Sequence, residues 1–332
     1  MKKIAVLTSG GDAPGMNPAI RSVVRTAIYK NLEVVGVRHG YKGLIEKDFF
    51  DMERGSVADI VQRGGTILLS ARCDEFKTES GRKKAYANMK EEGIDGIVVI
   101  GGDGSLRGVQ KINEESDIKA VGIPGTIDND LSCTDYTIGV DTAMNTILDA
   151  VNKIRDTATS HERTFVIECM GRESGYLALM SGLAGGAEYI LLPEIDFTPQ
   201  EVCDKITQGF NRGKLHSLII IAEGVEAPFV DLNEYNGSPG MAMGELIRER
   251  TGMETRVTIL GHLQRGGSPT ATDRIVASRM GAKAVELLLE GKRDKMVNYK
   301  DNSIGVCEIK DAVKKNDTIN MDIYNLANIL SM

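Results

Sequence analysis

Ile97-Val98-Val99-Ile100-Gly101-Gly102-Asp103-Gly104-Ser105 is the stretch that decides the fold. Four consecutive β-branched apolar residues leave no polar face, as expected of a strand buried on both sides of a parallel sheet. Glycines end the run, and a helix is predicted through about Asn113. The same strand, Gly-rich turn and helix recur in both directions. Upstream, Ile4–Leu7 leads into Thr8-Ser9-Gly10-Gly11-Asp12. A helix follows in which Asn17 reads as the N-cap and Pro18 as the first helical residue, with Ile20, Val23, Val24, Ala27 and Ile28 at helical spacing. Leu32–Val37 is a second strand, Ile67-Leu68-Leu69 is strand-like, and 82–92 is a helix. Downstream, the strand over 119–123 runs into Gly122-Ile123-Pro124-Gly125-Thr126-Ile127-Asp128-Asn129-Asp130.

A second series starts at the helix over 142–155. Strands are predicted at 163–169, 189–192, 217–222 and 257–260. Between them lie helices ending near Ala184, Asn211 and Arg250, the middle one opened by the capping-box pattern Thr198-Pro199-Gln200-Glu201. A long helix over 272–289 closes the series. From about Gly291 the chain is polar and poorly patterned until Ile323–Leu330. Alternation of strands and helices argues for α/β layers with mainly parallel sheets, and two series argue for two such domains.

The 332 residues suffice for two domains. A net charge of −7 disfavours a general binder of nucleic acid or of anionic membranes. No apolar run reaches the length of a membrane span, and Ile4–Leu7 is too short for a signal-peptide core. The five cysteines are scattered without metal spacing, which suits free thiols in the cytoplasm.

Ligands of parallel sheets gather outside the carboxyl ends of the strands. Six Gly- or acid-rich segments fall there: 10–12, 101–105, 125–130, 171–175, 223–224 and 261–267. Gly10-Gly11 and Gly101–Ser105 offer backbone N–H groups at helix N-termini, an environment that favours phosphate. Neither is a P-loop nor a dinucleotide fingerprint. Asp103 suits either a Mg²⁺ ligand or a helix N-cap. Phosphoryl transfer needs a metal, cations around the transferring group and an activated acceptor. Asp128 can serve as the base. Arg72 can bridge phosphate oxygens, and His262 and Arg265 form an anion-binding candidate. Arg163, Arg172 and Arg256 lie near further strand ends, and converging arginines imply an acceptor that itself carries phosphate.

Together these segments resemble the ATP-dependent 6-phosphofructokinases of the bacterial type, over nearly the whole chain from Ile4 to about Leu289. The resemblance implies two similar three-layer α/β/α domains with the active site in the cleft between them. Residues 1–140 plus about 264–313 would bind ATP, and 141–263 plus about 314–332 would bind sugar phosphate. It implies transfer from MgATP to fructose 6-phosphate, a step of glycolysis. Asp128 matches the base, and Thr126 and Arg172 match groups at the transferring phosphoryl; Asp130, two residues on, reads as a helper that orients or charges the site. Gly11, Arg72, Cys73, Gly102, Asp103, Gly104 and Ser105 match ATP contacts, with Asp103 at the Mg²⁺ position. Met170, Gly171, Glu223, His262 and Arg265 match sugar-phosphate contacts. Arg163 and Arg256 match arginines that reach across from a neighbouring subunit of a homotetramer. Arg21, Arg25, Arg54, Arg155, Glu188, Arg212 and Lys214 match an effector site for ADP or phosphoenolpyruvate.

Pyrophosphate-using relatives typically carry Asp where this chain has Gly104 and Lys where it has Gly125, so ATP is the expected donor. Two alternatives are a pyrophosphate-dependent enzyme and a non-catalytic nucleotide or sugar-phosphate sensor. The chain departs from the short bacterial pattern at Leu215, where some relatives carry lysine. It also has an extra loop near 226–240, containing Phe229, Tyr235, Asn236, Gly237, Pro239 and Gly240, which reads as ordered.

Overall fold

The computed structural model describes residues 1–226, 230–314 and 319–331. The chain forms two units. Unit 1 comprises Met1–Ile127, Leu131–Thr142 and Arg265–Asn316, and unit 2 comprises Asp128–Asp130, Ala143–Gln264 and Asp317–Met332.

The strands are β1 (Lys3–Ser9), β2 (Glu33–Val37), β3 (Phe49–Asp51), β4 (Gly96–Gly101), β5 (Lys119–Pro124), β6 (Thr164–Cys169), β7 (Tyr189–Leu191), β8 (Ser217–Ala222), β9 (Thr255–Ile259), β10 (Lys295–Lys300) and β11 (Ser303–Glu308). Unit 1 is built on a seven-stranded sheet in the order β11-β10-β5-β4-β1-β2-β3. Its centre is parallel, and its two edges, β3 and β11, are antiparallel. Every residue of β4 is buried, as its unbroken apolar run predicts. Ile97 and Val99 enter a core shared with Ala85 and Met89 of helix Glu79–Glu91 and with Leu106, Val109 and Ile112 of helix Asp103–Glu115. Side chains alternate along a strand, so Val98 and Ile100 are buried on the other face. Helices Met16–Tyr29 and Ala271–Leu289 pack there, against β4 and against each other. Each such fully buried side chain contributes about 1.5–3 kcal/mol.

Unit 2 has a four-stranded, wholly parallel sheet in the order β7-β8-β6-β9. Helix Pro239–Thr251 packs on β6, β8 and β9 and against helix Pro199–Asn211, while helix Tyr176–Gly185 packs on β7 and β8 and against helix Met321–Leu330. Both units are therefore three-layer α/β/α structures. The capping box at Thr198 and Glu201 forms as its sequence pattern predicts.

Three expectations are corrected. Asn17 is not an N-cap: the helix starts at Met16 after Gly15, whose φ of 109° is left-handed. The Asn17 side chain instead accepts from Ile67 N–H (2.8 Å) and donates to the carbonyls of Arg63 and Gly64. That clamp and the left-handed φ of 59° at Leu69 make Ile67–Leu69 a loop rather than a strand. The polar segment after Gly291 forms the hairpin β10–β11, turned by Asp301 and Asn302, both at positive φ. Two such residues suit the tight turn that matches strand twist.

A buried carboxylate ties unit 1 together. Asp273 accepts from Tyr136 O–H (2.8 Å), Gly139 N–H (2.7 Å), Thr142 N–H (2.9 Å) and Thr142 Oγ1–H (2.5 Å). Burial pushes its pKa above the usual carboxylate value, while the four donated hydrogen bonds pull it back down. Asp273→Ala would leave these donors buried without an acceptor, so denaturant unfolding should show a loss of about 3 kcal/mol or more. A loss below about 1 kcal/mol would contradict this role.

Candidate functional site

In unit 1 the register of the parallel strands sets the site. Ser9 pairs with Gly101, and Gly101 with Pro124. The turns that follow β1, β4 and β5 therefore start level with one another. Gly10 has a φ of 88° and brings its Cα near the Ser105 hydroxyl; a Cβ built there would stand 3.5 Å from Ser105 Oγ. Gly101 has no room for a side chain, since its Cβ would meet Ser105 Oγ and the Ser9 carbonyl. Gly102 is the N-cap of helix Asp103–Glu115 and Asp103 is its first residue, so the N-cap reading of Asp103 falls away. The Asp103 carboxylate is part-exposed, 3.9 Å from Arg107 Nε.

Thr126 is buried beside this turn. Its Cβ lies 3.5 Å from where a Gly102 Cβ would stand, and its carbonyl accepts from Thr137 Oγ1 (2.7 Å). A side chain at Gly104 would project into open space, with nothing within 4 Å. At Gly125 a Cβ would stand 2.9 Å from Ile100 Cγ2 and 3.3 Å from Met16 Cε, so the backbone there is packed around glycine. The Arg265 guanidinium lies against Gly11 and donates to the Asp12 carbonyl (3.2 Å). Ser70 Oγ donates to the Gly10 carbonyl (2.6 Å), fixing the loop that carries exposed Arg72 and half-buried Cys73.

Unit 2 contains Asp128 and Asp130. Asp128 is 3 % exposed. Arg172 Nε stands 3.7 Å from Asp128 Oδ2, and Arg172 Nη1 stands 4.0 Å from Asp130 Oδ2. Arg172 reaches them from a strained turn: Gly171 has a φ of 145° and Arg172 a φ of 53°. Glu223, at the end of β8, holds that turn by accepting from Gly171 N–H (3.2 Å) and Arg172 N–H (2.8 Å). Met170 N–H donates to the side-chain oxygen of Gln264 (3.1 Å), whose amide donates to the Gly261 carbonyl (3.0 Å). Gln264 thus fixes the turn that carries exposed His262. Arg163 and Arg256, on or beside neighbouring strands, share Glu254 at 2.8 and 2.5 Å. The Arg163 guanidinium holds the Glu254 carboxyl below its ordinary pKa.

The effector candidates divide between the units. Arg155 donates to the carbonyls of Gly185 and Gly186, and Lys214 Nζ lies 3.5 Å from Glu188 Oε1; these, with Arg212, belong to unit 2. Arg21 and Arg25 lie on helix Met16–Tyr29 of unit 1, which packs against the turn Gly55–Val57 beside Arg54. In the extra loop, Phe229 lies outside the described residues. Leu232–Tyr235 forms a 3₁₀ turn, and Ser238 Oγ–H (2.5 Å) and Gly240 N–H (2.9 Å) both donate to the buried Glu168 of β6.

Sequence reasoning missed Gln264, Glu254, Glu168 and Asp273. Gln264 lies within the 261–267 segment, but its bond to Met170 N–H reaches a residue remote in sequence; Glu254, Glu168 and Asp273 fall in none of the six segments. Among the described residues no group of three or more His, Cys, Asp or Glu could hold a metal. Mg²⁺ bound through one or two carboxylates, phosphate oxygens and water needs no such group, and part-exposed Asp103 at a helix N-terminus fits that kind of ligation.

Comparison with known proteins gives the class. The phosphofructokinase family model matches residues 3–288, and the chain belongs to that family. It is 67 % identical to the ATP-dependent 6-phosphofructokinase of Halothermothrix orenii, over 100 % of both chains. The crystal structure of Pichia pastoris phosphofructokinase in the T-state matches with a TM-score of 0.86 and 36 % identity, over 94 % of this chain and 35 % of that longer one. The pyrophosphate-dependent phosphofructokinase of Nitrosospira multiformis matches with a TM-score of 0.87 at 20 % identity, over 99 % of this chain and 91 % of that one. That last likeness is one of fold alone, so the fold does not choose the phosphoryl donor.

The Glu223 carboxylate is the feature that holds the Gly171–Arg172 turn. In Glu223→Ala, hydrogen exchange at those two amides should rise about tenfold or more. Unchanged exchange would mean that the turn is held by something else.

Proposed function

We propose that the chain transfers the γ-phosphoryl group of MgATP to the 1-hydroxyl of fructose 6-phosphate, releasing ADP and fructose 1,6-bisphosphate. The observation that carries this reading is the buried Asp128 with the Arg172 guanidinium beside it. Asp128 accepts the proton of the 1-hydroxyl as that oxygen attacks phosphorus. Arg172 then shifts its charge toward the oxygens of the transferring group, and Thr126 offers a hydroxyl to them. Asp130 holds the far end of the guanidinium, which keeps Arg172 aimed.

The N–H groups at Gly11 and Gly102–Ser105, with Arg72, bind the polyphosphate of ATP, and Cys73 lies beside Arg72. Asp103 would hold Mg²⁺, which would supply charge neutralisation for the phosphates of ATP. The sugar phosphate is bound by Met170, Gly171, Glu223, His262 and Arg265. Arg163 and Arg256 reach the 6-phosphate of a neighbouring subunit's substrate in a homotetramer. Their joint hold on Glu254 supports this, because a single exposed carboxylate is readily exchanged for a phosphate. Residues 1–140 plus about 264–313 form the ATP-binding domain, and 141–263 plus about 314–332 the sugar-phosphate domain. Arg21, Arg25, Arg54, Arg155, Glu188, Arg212 and Lys214 form an effector site for ADP or phosphoenolpyruvate. Among the described residues no helix is long and apolar enough to cross a membrane, and a cytoplasmic location accords with an ATP-using step of glycolysis.

Gly104 supports ATP over pyrophosphate as donor. The open space at that position leaves room for the α-phosphate, where a carboxylate would repel it. At Gly125 a Cβ would press on Ile100 Cγ2, and the chain lacks there the lysine that binds pyrophosphate in pyrophosphate users. The test is a coupled assay with fructose 6-phosphate and each donor in turn. The chain should turn over with ATP and not with pyrophosphate. Gly104→Asp should lower kcat/KM for ATP about 100-fold, with the helix intact because an acid suits its first turn. Turnover with pyrophosphate alone would overturn the donor assignment, and turnover with neither donor would overturn the enzyme reading.

A further inference from the structure

Unit 2 carries more positive charge around Glu188 than one carboxylate balances. Lys214 Nζ is 3.5 Å from Glu188 Oε1, and Lys205 sits in the field of Lys214, Arg212 and Glu188. Glu188 is already committed on its other oxygen, which accepts from Leu218 N–H (2.6 Å). Lys205 is half-buried, with its ammonium 4.9 Å from the Tyr189 ring centre. Burial and the neighbouring Lys214 charge hold its pKa below the ordinary lysine value. Such a cluster calls for an anion.

What meets it in this structure is the end of helix Met321–Leu330. Lys205 Nζ donates to Asn328 Oδ1 (3.3 Å), and Lys214 Nζ donates to the Ser331 carbonyl (3.3 Å). The last carbonyls of a helix have no partner within it and carry the negative end of its dipole, equivalent to about half a charge. The helix end is thus a weak, built-in substitute for an anion. Its hold on unit 2 is slight. Ala327 is its only buried residue, whereas Leu326, Ile329 and Leu330 are exposed. Elements with so few buried contacts open at low free-energy cost.

We propose that the end of helix Met321–Leu330 is an internal competitor for the anion site around Lys214. A phosphate-bearing effector takes both lysines from Asn328 and Ser331, and the helix end is released. The exchange is favourable because a lysine–phosphate hydrogen bond is charge-assisted on both sides, whereas lysine to a neutral carbonyl is not. This proposal rests on the effector-site reading of Arg155, Glu188, Arg212 and Lys214, and adds to it Lys205, Asn328 and the helix end.

The test compares the full chain, Asn328→Ala, and a chain lacking residues 321–332, whose new terminal carboxylate lies at the far end of the helix from Lys214, with phosphoenolpyruvate as the probe. Titration calorimetry gives its Kd, and hydrogen exchange reports on residues 321–331 with and without it. Both variants should bind about three- to tenfold more tightly than the full chain. In the full chain, phosphoenolpyruvate should speed exchange at the helix end, while turnover without it should be the same in all three. Equal or weaker binding by the variants, with unchanged exchange in the full chain, would overturn the competitor and leave the effector site standing. Binding to none of the three, or undiminished binding by Lys214→Ala, would overturn the effector-site reading and the competitor with it.

Discussion

Much of unit 1 depends on the in-register parallel pairing of β1, β4 and β5. Because Ser9, Gly101 and Pro124 pair across the sheet, three turns leave at the same level. At two glycines this leaves no room for a side chain. Gly101 and Gly125 are each closed in by atoms of the neighbouring strand or helix, while Gly104 stands clear. The same register puts the N–H groups of one helix start beside Thr126, two residues before Asp128. A slip by one residue would exchange the two buried faces of the central strands and carry the three turns out of level. The site and the core are therefore specified by one pairing.

Within unit 2 the pairing of Asp128 with Arg172 rests on a chain of supports. Asp128 is nearly enclosed, and Arg172 is the cation beside it. Arg172 occupies a left-handed backbone conformation that an L-residue seldom adopts. The Glu223 carboxylate offsets that strain by accepting from two consecutive amides. Gly224 has no side chain because a Cβ there would strike the Arg172 carbonyl. Glu223 thus shapes the turn that positions the Arg172 guanidinium beside Asp128. Glu168 does the same kind of work at the extra loop, where it anchors Ser238 and Gly240. That loop is built into unit 2 at its C-terminal end rather than merely tolerated on the surface.

The sequence was most legible where burial is two-sided. Ile97–Ile100 and Leu218–Ile221 have no polar face, and both are fully buried parallel strands. It was least legible where one polar side chain acts at a distance. Asn17 looks like a cap and is a clamp on a loop some fifty residues away. Asp273 looks like an acid in a helix's first turn and is a buried hub for Tyr136, Gly139 and Thr142. The hairpin β10–β11 was hidden because it lies at a sheet edge, where only part of each strand is buried. Its one local signal, Asp301-Asn302, is a pair that tolerates left-handed backbone. Among site residues, those in Gly-rich turns could be found from pattern. Glu254, outside any such turn, could not, and the role of Gln264 within one was hidden because its partner Met170 is set by the fold.

The central claim is that Asp128 removes a proton from the acceptor hydroxyl. Its most direct test is Asp128→Asn, which keeps the side-chain shape and removes the base. Single-turnover rates at saturating ATP and fructose 6-phosphate should fall about 10²- to 10⁴-fold, while the Kd for ATP should stay within about twofold, a ratio worth under about 0.5 kcal/mol. A near-normal rate, or a loss explained wholly by weaker ATP binding, would contradict the assignment.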